Sequence, residues 1–278
     1  MTVIAFALVA AALYGTADFL GGAASRRTTA FAVVLVSTPA GLATMLLAAL
    51  LVPGRPSAVA LAVGALAGVI GGLGMVTFYA ALAIGPMSVV APVSALTSTL
   101  LPVIVALAMG ERLSTPVLIG AGLCIAAIAM VGVERERPGE RPRPGRAALL
   151  SFLAGAGFGL FMVLIVLVPG DSGMWSLAAA RAGGLAVSIL VALVAGARIA
   201  RGRGTVALAV AAGVLDSLAN AAYLLASRAG MLSVAAVITS LYPAVTVVLA
   251  RLIYSERLRG VQLVGLALAV GGVVLVTS

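Results

Sequence analysis

The sequence predicts an all-α polytopic membrane protein, with ten transmembrane helices arranged as two inverted five-helix repeats. Three observations predict it. Hydrophobic residues make up 63% of the 278-residue chain and charged residues only 9%, with a mean hydropathy of +1.26. A soluble domain carries about 25% charged residues. Ten apolar runs of span length follow one another, and each span needs about 20 residues. The second half of the chain also repeats part of the first. A water-soluble fold of this composition has no polar coat for its surface. That excludes a cytosolic enzyme, a nucleic-acid-binding domain and a disordered protein. Helices are the spanning element, because a helix satisfies its own backbone in lipid and the alternating strands of a barrel do not occur.

The spans run at about 2–22, 31–52, 58–82, 87–109 and 115–133, then at 147–168, 174–196, 205–226, 231–253 and 260–277. Met1–Leu20 has no charged leader and reads as the first span itself. Pro53-Gly54-Arg55-Pro56 separates the second and third spans, and Pro169-Gly170-Asp171-Ser172-Gly173 the sixth and seventh. The longest polar stretch, 134–146, alternates Glu and Arg with Pro and Gly. A segment of that composition buries no core and reads as a solvated linker. It divides the chain into a first repeat at 1–133 and a second at 147–278.

Shifting residues 85–131 by 145 lays them on 230–276 without a gap, with 14 identities in 47 positions. Apolar composition inflates such matches, but it does not explain Glu111-Arg112-Leu113 falling on Glu256-Arg257-Leu258. Corresponding helices lie five spans apart, an odd number, so the repeats are inverted in the membrane. Inverted repeats with a site at their interface are a transporter architecture.

All 17 basic residues are arginine, and they give a net charge of +9. They sit at the ends of apolar runs, where charge sets orientation rather than binding nucleic acid. The connections after spans one, five, seven and nine, with Arg251 beside them, hold 13 arginines. The opposite side holds three, Arg55, Arg112 and Arg228, and Arg181 lies inside a span. The positive-inside rule places the central linker in the cytoplasm and both termini outside the cell membrane. There is no histidine, and the one cysteine, Cys124, lies in an apolar run and reads as packing. No disulfide within the chain, no metal site and no cofactor are expected.

Three sets of residues carry a family resemblance. They are Ser240-Leu241-Tyr242-Pro243 followed by Ser255-Glu256-Arg257-Leu258, then Gly110-Glu111-Arg112-Leu113-Ser114, and Tyr14-Gly15-Thr16-Ala17-Asp18-Phe19. On these the chain resembles the drug/metabolite transporter superfamily, in its EamA-type ten-helix branch, over essentially its whole length. The last set stands where that family often has a Trp-Gly motif. The resemblance implies ten helices, a central cavity and alternating access for a small metabolite. Ser98 stands opposite Pro243 in the repeat, so equal bending of the fourth and ninth helices does not follow.

Four charged residues fall within apolar runs: Asp18, Arg181, Asp216 and, near an end, Arg251. Such charges face an interior or a cavity, and Arg251 is close enough to an end to snorkel. Arg181 lies about 10 Å below its face, and Asp216 about 15 Å below the same face. The helices are consecutive and antiparallel, so the two are expected to pair. Two readings stay open: a structural ion pair, or one that a substrate carboxylate or a proton opens. Asp216, Asn220 and Tyr223 repeat at i, i+4 and i+7 on one face, as interhelical hydrogen-bonding groups or as a cavity lining. Asp18 lies too far in depth from Arg181 to pair with it. A desolvated carboxylate without a counter-charge is a candidate proton-coupling site, and Tyr14 is one turn earlier on its face. The alternative is an interfacial aspartate held by the Gly21-Gly22 turn or by Arg26.

Further candidates are Ser94, Thr97, Ser98, Thr239, Ser240 and Tyr242, although Ser and Thr often bond their own backbone in lipid. Pro92, Pro102 and Pro243 can kink their helices. Trp175 reads as an interface anchor. Gly64, Gly68 and Gly72 repeat every four residues, and Gly155, Gly157 and Gly159 cluster, as small residues do where helices approach closely.

The function expected is a non-enzymatic, secondary-active transporter of a small polar metabolite such as an amino acid. The proton is the candidate coupling ion and the lipid bilayer the surroundings. Export is suggested by the resemblance alone. Without lysine there can be no phosphate-binding P-loop. A flippase of lipid or a lipid-linked substrate is the alternative, and a channel a weaker one. An intramembrane enzyme is disfavoured because no histidine exists and the two intramembrane carboxylates differ by about 10 Å in depth.

Overall fold

In a computed structural model, residues 2–82, 84, 87–131, 144–196, 202–254 and 260–277 are described. These residues are helical nearly throughout. The helices are α1 (Thr2–Ser25), α2 (Ala30–Leu51), α3 (Ala58–Leu82), α4 (Met87–Ala108), α5 (Thr115–Val131) and α6 (Pro144–Leu167). They continue as α7 (Trp175–Ala195), α8 (Arg203–Ala229), α9 (Leu232–Thr239), α10 (Tyr242–Tyr254) and α11 (Gly260–Thr277). α9 and α10 are two pieces of one span, Leu232–Tyr254, so the helices make ten spans. Seven are long and apolar enough to cross a membrane by length and composition, and α4, α5 and α11 contribute shorter apolar stretches.

The local chemistry fixes many of the ends. Thr29 Oγ1 accepts from the Ala32 amide at 3.2 Å and starts α2, and Ser57 Oγ does the same for Ala60 at 3.1 Å before α3. Gly196, with φ of 61°, closes α7 in the left-handed conformation. α6 begins at Pro144, three residues before the expected start, because proline fits the first turn, where no amide partner is needed. The rest of the expected linker, 134–143, and the Glu256-Arg257-Leu258 copy of the repeat motif lie outside the described residues.

The fourth and ninth spans differ as the Ser98/Pro243 exchange suggests. α4 runs unbroken through Ser98, whereas the ninth span breaks at Ser240-Leu241. Pro243 has no amide to give to the Thr239 carbonyl. Leu241 N instead donates to Ile238 O at 3.2 Å, and α10 restarts from there.

The strong helix pairings all join the two halves. α1 packs on α8 and on α9–α10; α2 packs on α7 and α8. α3 packs on α6 and α7, α4 on α6 and α9, and α5 on α11. Replacing each span by the one five further along maps this set of pairings onto itself. Corresponding spans run in opposite directions, which makes the repeat inverted.

Small residues set the distance between helices. A Cβ added to Gly64 or Gly68 of α3 would fall on the carbonyl oxygen of Ser176 or Ala180 of α7. The symmetric contact repeats this, with Gly213 of α8 against the Ser37 carbonyl of α2. A Cβ added to Gly155 of α6 would fall on the Ser94 carbonyl of α4, and one added to Gly15 of α1 would lie 2.6 Å from the Tyr242 carbonyl of α10. Cys124 is fully buried beside Gly272 at the contact of α5 with α11. Trp175 starts α7 against a core cluster of Met45, Ile165 and Leu177.

Gly68→Ala therefore forces α3 from α7. The expected loss is about 1–3 kcal/mol, the usual cost of overpacking a tight core, read as a lower melting temperature in detergent. Gly122→Ala, where a Cβ meets nothing within 4 Å, is the matched control and should melt at or above wild type.

Candidate functional site

One face of α1 changes surroundings along its length. Ala7, Ala11, Tyr14 and Asp18 share that face by spacing. Ala7 and Ala11 are 0% and 4% exposed, yet Asp18 is exposed. The opposite face, with Leu8, Val9 and Ala12 exposed, is the one turned to lipid. Asp18 therefore looks into a space between helices, not into the bilayer. A Cβ on Gly22, one turn further along, meets nothing within 4 Å. This face of α1 is packed toward Thr2 and exposed at Asp18 and Gly22, while Ala23 and Ala24 beside it are buried.

Aromatic rings and charges converge on this opening. The Tyr14 ring lies 6.0 Å from that of Tyr242 on α10, and Tyr79 of α3 lies 6.2 Å from Phe31 of α2. Asp18 has neither a hydrogen bond nor an ion pair among the described residues.

The pair expected from depth is formed. Arg181 Nη2 of α7 lies 2.5 Å from Asp216 Oδ2 of α8. The two side chains are 17% and 38% exposed, so the pair borders the open space from one side. Gly41 of α2 makes room for it, since a Cβ there would lie 3.7 Å from Arg181 Cδ and 2.5 Å from Ser217 Oγ. Near the Arg26 end, the Arg26 guanidinium lies 4.2 Å from the centre of the Tyr254 ring, which packs at a tilt against Phe19 with centroids 5.4 Å apart.

The other end is closed by packing and by hydrogen bonds between connections. Glu111, after α4, accepts from the Leu232 amide at 2.7 Å, the Ser233 amide at 3.2 Å and the Ser233 hydroxyl at 2.5 Å. A carboxylate from the first repeat thus caps α9 of the second, where the helix dipole favours negative charge. All eight residues of α9 are buried. Arg55 N donates to Asp171 O at 2.8 Å, and Arg228 Nη1 donates to Gly170 O at 3.3 Å.

The remaining residues singled out from sequence divide between opening and packing. Tyr14, Asp18, Arg181, Asp216 and Tyr242 surround the opening. Asn220 is 4% exposed and donates to the Asp216 carbonyl at 2.7 Å, and Tyr223 is 1% exposed in the core beside Ala7 and Ala226. Only the first residue of that polar stripe reaches the open space. Ser94 donates to the Ser151 carbonyl of α6 at 2.9 Å and joins two helices. Thr97, Ser98 and Ser240 donate to carbonyls of their own helices, and Thr239 is fully buried. Arg251 is exposed in the last turn of α10. Sequence reasoning missed Tyr79 and Thr246. The Thr246 hydroxyl donates to the Gly15 carbonyl at 3.0 Å and ties α10 to α1.

The sequence profile of the EamA-like transporter family matches residues 1–133 and 145–278. Among solved structures 25 chains match. One, titled "Crystal structure of protein", is 20% identical with a TM-score of 0.78, and the match covers 99% of this chain and 96% of that one. That likeness is one of fold. No curated protein matches the sequence.

Two outcomes follow from this geometry. Arg181→Ala leaves Asp216 unpaired at a half-open site. The cost should be on the order of 1–3 kcal/mol, between the exposed and buried limits, and Asp216→Asn in the same chain should recover most of it in a double-mutant cycle. Glu111→Ala removes the cap of α9. It should lower stability by about 1–2 kcal/mol and raise thiol labelling of a cysteine placed at Ser233, with Cys124 replaced by Ala.

Proposed function

The chain belongs to the EamA-like transporter family, within the drug/metabolite transporter superfamily, and we propose that it moves a small polar metabolite across the membrane by alternating access. It is a multi-pass membrane transporter of that type. An amino acid or related solute suits a site that offers a carboxylate, a guanidinium–carboxylate pair and tyrosines. The observation that carries the reading is one-sided access. Asp18 and the Arg181–Asp216 pair border a space open toward the Arg26 end, while Glu111 and the buried α9 seal the opposite end. Inverted repeats supply a second state in which the seal and the opening exchange sides.

The arginine asymmetry supports placing the open end at the cytoplasm of a cell membrane. The described state is then the loading state of an exporter. Asp18 is the proposed coupling group, since it can carry a proton through the closed intermediate without a counter-charge.

Proteoliposomes given a mixed pool of small metabolites, with and without a pH gradient, test this by mass spectrometry. One solute should accumulate with the gradient, and Asp18→Asn should lose that accumulation while keeping exchange. If no solute crosses under any condition, the reading fails, and translocation of labelled lipid becomes the test of the flippase alternative.

A further inference from the structure

We propose that Asn220, Tyr223 and Ser227 form the wall of the sealed half of the pathway, buried in the described state and wetted when that end opens. The inference rests on the transporter reading and deepens it, because it names the residues a solute meets beyond the present opening.

The repeat supplies a counterpart for each residue of α8. The offset of 145 that lays residues 85–131 on 230–276 also relates α3 to α8. α3 starts at Ala58 and α8 at Arg203. A Cβ on Gly68 would fall on a carbonyl of α7, and one on Gly213, its counterpart, on a carbonyl of α2. Asn220, Tyr223 and Ser227 therefore correspond to Met75, Phe78 and Leu82.

Burial of these pairs depends on the face. Leu73 and Leu218 are counterparts and are 53% and 40% exposed, so both helices turn the same side to lipid. Met75, Phe78 and Leu82 lie roughly 140–180° around α3 from Leu73, on the side away from lipid, and yet are part-exposed. Asn220, Tyr223 and Ser227 hold the same angles on α8 and are 4%, 1% and 8% exposed. The inward face is open on α3 and covered on α8. In a second state each half of an inverted repeat takes the arrangement the other has now, so this face of α8 opens as that of α3 closes.

The chemistry of the stripe agrees. Polar groups buried between membrane helices commonly join them. Asn220 and Ser227 instead donate to the Asp216 and Tyr223 carbonyls of α8 itself. The Tyr223 hydroxyl has no partner on another helix among the described residues. Its ring sits in a cluster with Ala7 and Ala10 of α1 and Val234 and Ile238 of α9, which offer it apolar contact. Groups of this kind lose no hydrogen bond to a neighbour when α9 withdraws, and they gain hydration. The wall so exposed offers an amide, a phenol and a hydroxyl where α3 offers a thioether, a phenyl ring and an isobutyl group.

Single cysteines in a Cys124→Ala chain, held in lipid nanodiscs and treated with a charged methanethiosulfonate reagent, test this. Phe78→Cys should label faster than Tyr223→Cys. Glu111→Ala weakens the cap of α9 and shifts the population toward the second state. With that change Asn220→Cys, Tyr223→Cys and Ser227→Cys should label about fivefold faster or more, the population shift from losing a cap of ordinary size. Phe78→Cys should then slow, and Leu218→Cys, on the lipid side, should stay slow throughout. The proposal is overturned if the three stripe positions label no faster than Leu218→Cys after the change. It is also overturned if Phe78→Cys speeds up with them, which is loosening of the bundle and not exchange. Should a stripe variant not fold, oxidation of the native Tyr223 by hydroxyl radical carries the same test: it should rise with Glu111→Ala, and no rise overturns the proposal. Unlabelled stripe positions in a chain that transports a solute remove this inference and leave the transporter reading intact. Exchange of labelling with no solute crossing under any condition does the reverse.

Discussion

The close approach of helix backbones from opposite halves is the contact on which the rest of this structure depends. Lipid is as apolar as a leucine side chain, so no hydrophobic force drives helices together inside the membrane. Contact area and carbonyl packing must do it, and both need small residues at the crossing points. Gly64 and Gly68 set α3 directly on the backbone of α7, and Gly213 sets α8 on α2 in the same way. Gly15 and Gly155 bring α1 and α6 against the fourth-span elements of the other half. Each half is nearly an open surface by itself and becomes a core only in the other's grasp.

The same packing arranges the proposed site. α1, α7, α8 and α10, which carry Asp18, Arg181, Asp216 and Tyr242, each pack against the other half. The symmetry is incomplete where chemistry enters. Pro243 breaks the ninth span and leaves α9 as an eight-residue buried piece, whereas α4 continues through Ser98. The short piece is capped at its start by Glu111 from the first half. One motif residue thereby fastens the sealed end of the molecule.

Much of this was legible in the residues. Span 58–82 agrees at both ends with α3, and 260–277 with α11. The Arg181–Asp216 pair followed from counting depth along two consecutive antiparallel helices. The stripe of Asp216, Asn220 and Tyr223 was read with the right period, but its surroundings change over two turns. Asp216 borders open space, while Tyr223 lies under the seal made by α1 and α9, and periodicity carries no information on that change. Tyr79 near the end of α3 reads as an interfacial aromatic, and nothing in the sequence pairs it with Phe31 of α2. Glu111 stood out as a repeated residue, and Ser233 repeats Ser88 at the same offset. That co-repetition was the available signal for the cap, although the contact itself depends on how two loops meet.

The cross-half packing also bears on how the chain is made. Translation delivers α1 to α5 before any of their main partners exist. Until α6, α7 and α8 follow, the glycine-lined faces of α3 and α1 are covered by lipid, and Glu111 has no helix to cap. Of these pairings, that of α5 with α11 is the last to become available. The first half therefore waits as an unassembled set of spans through most of synthesis. Quality control in the membrane meets this protein at its least protected while the ribosome is still at work.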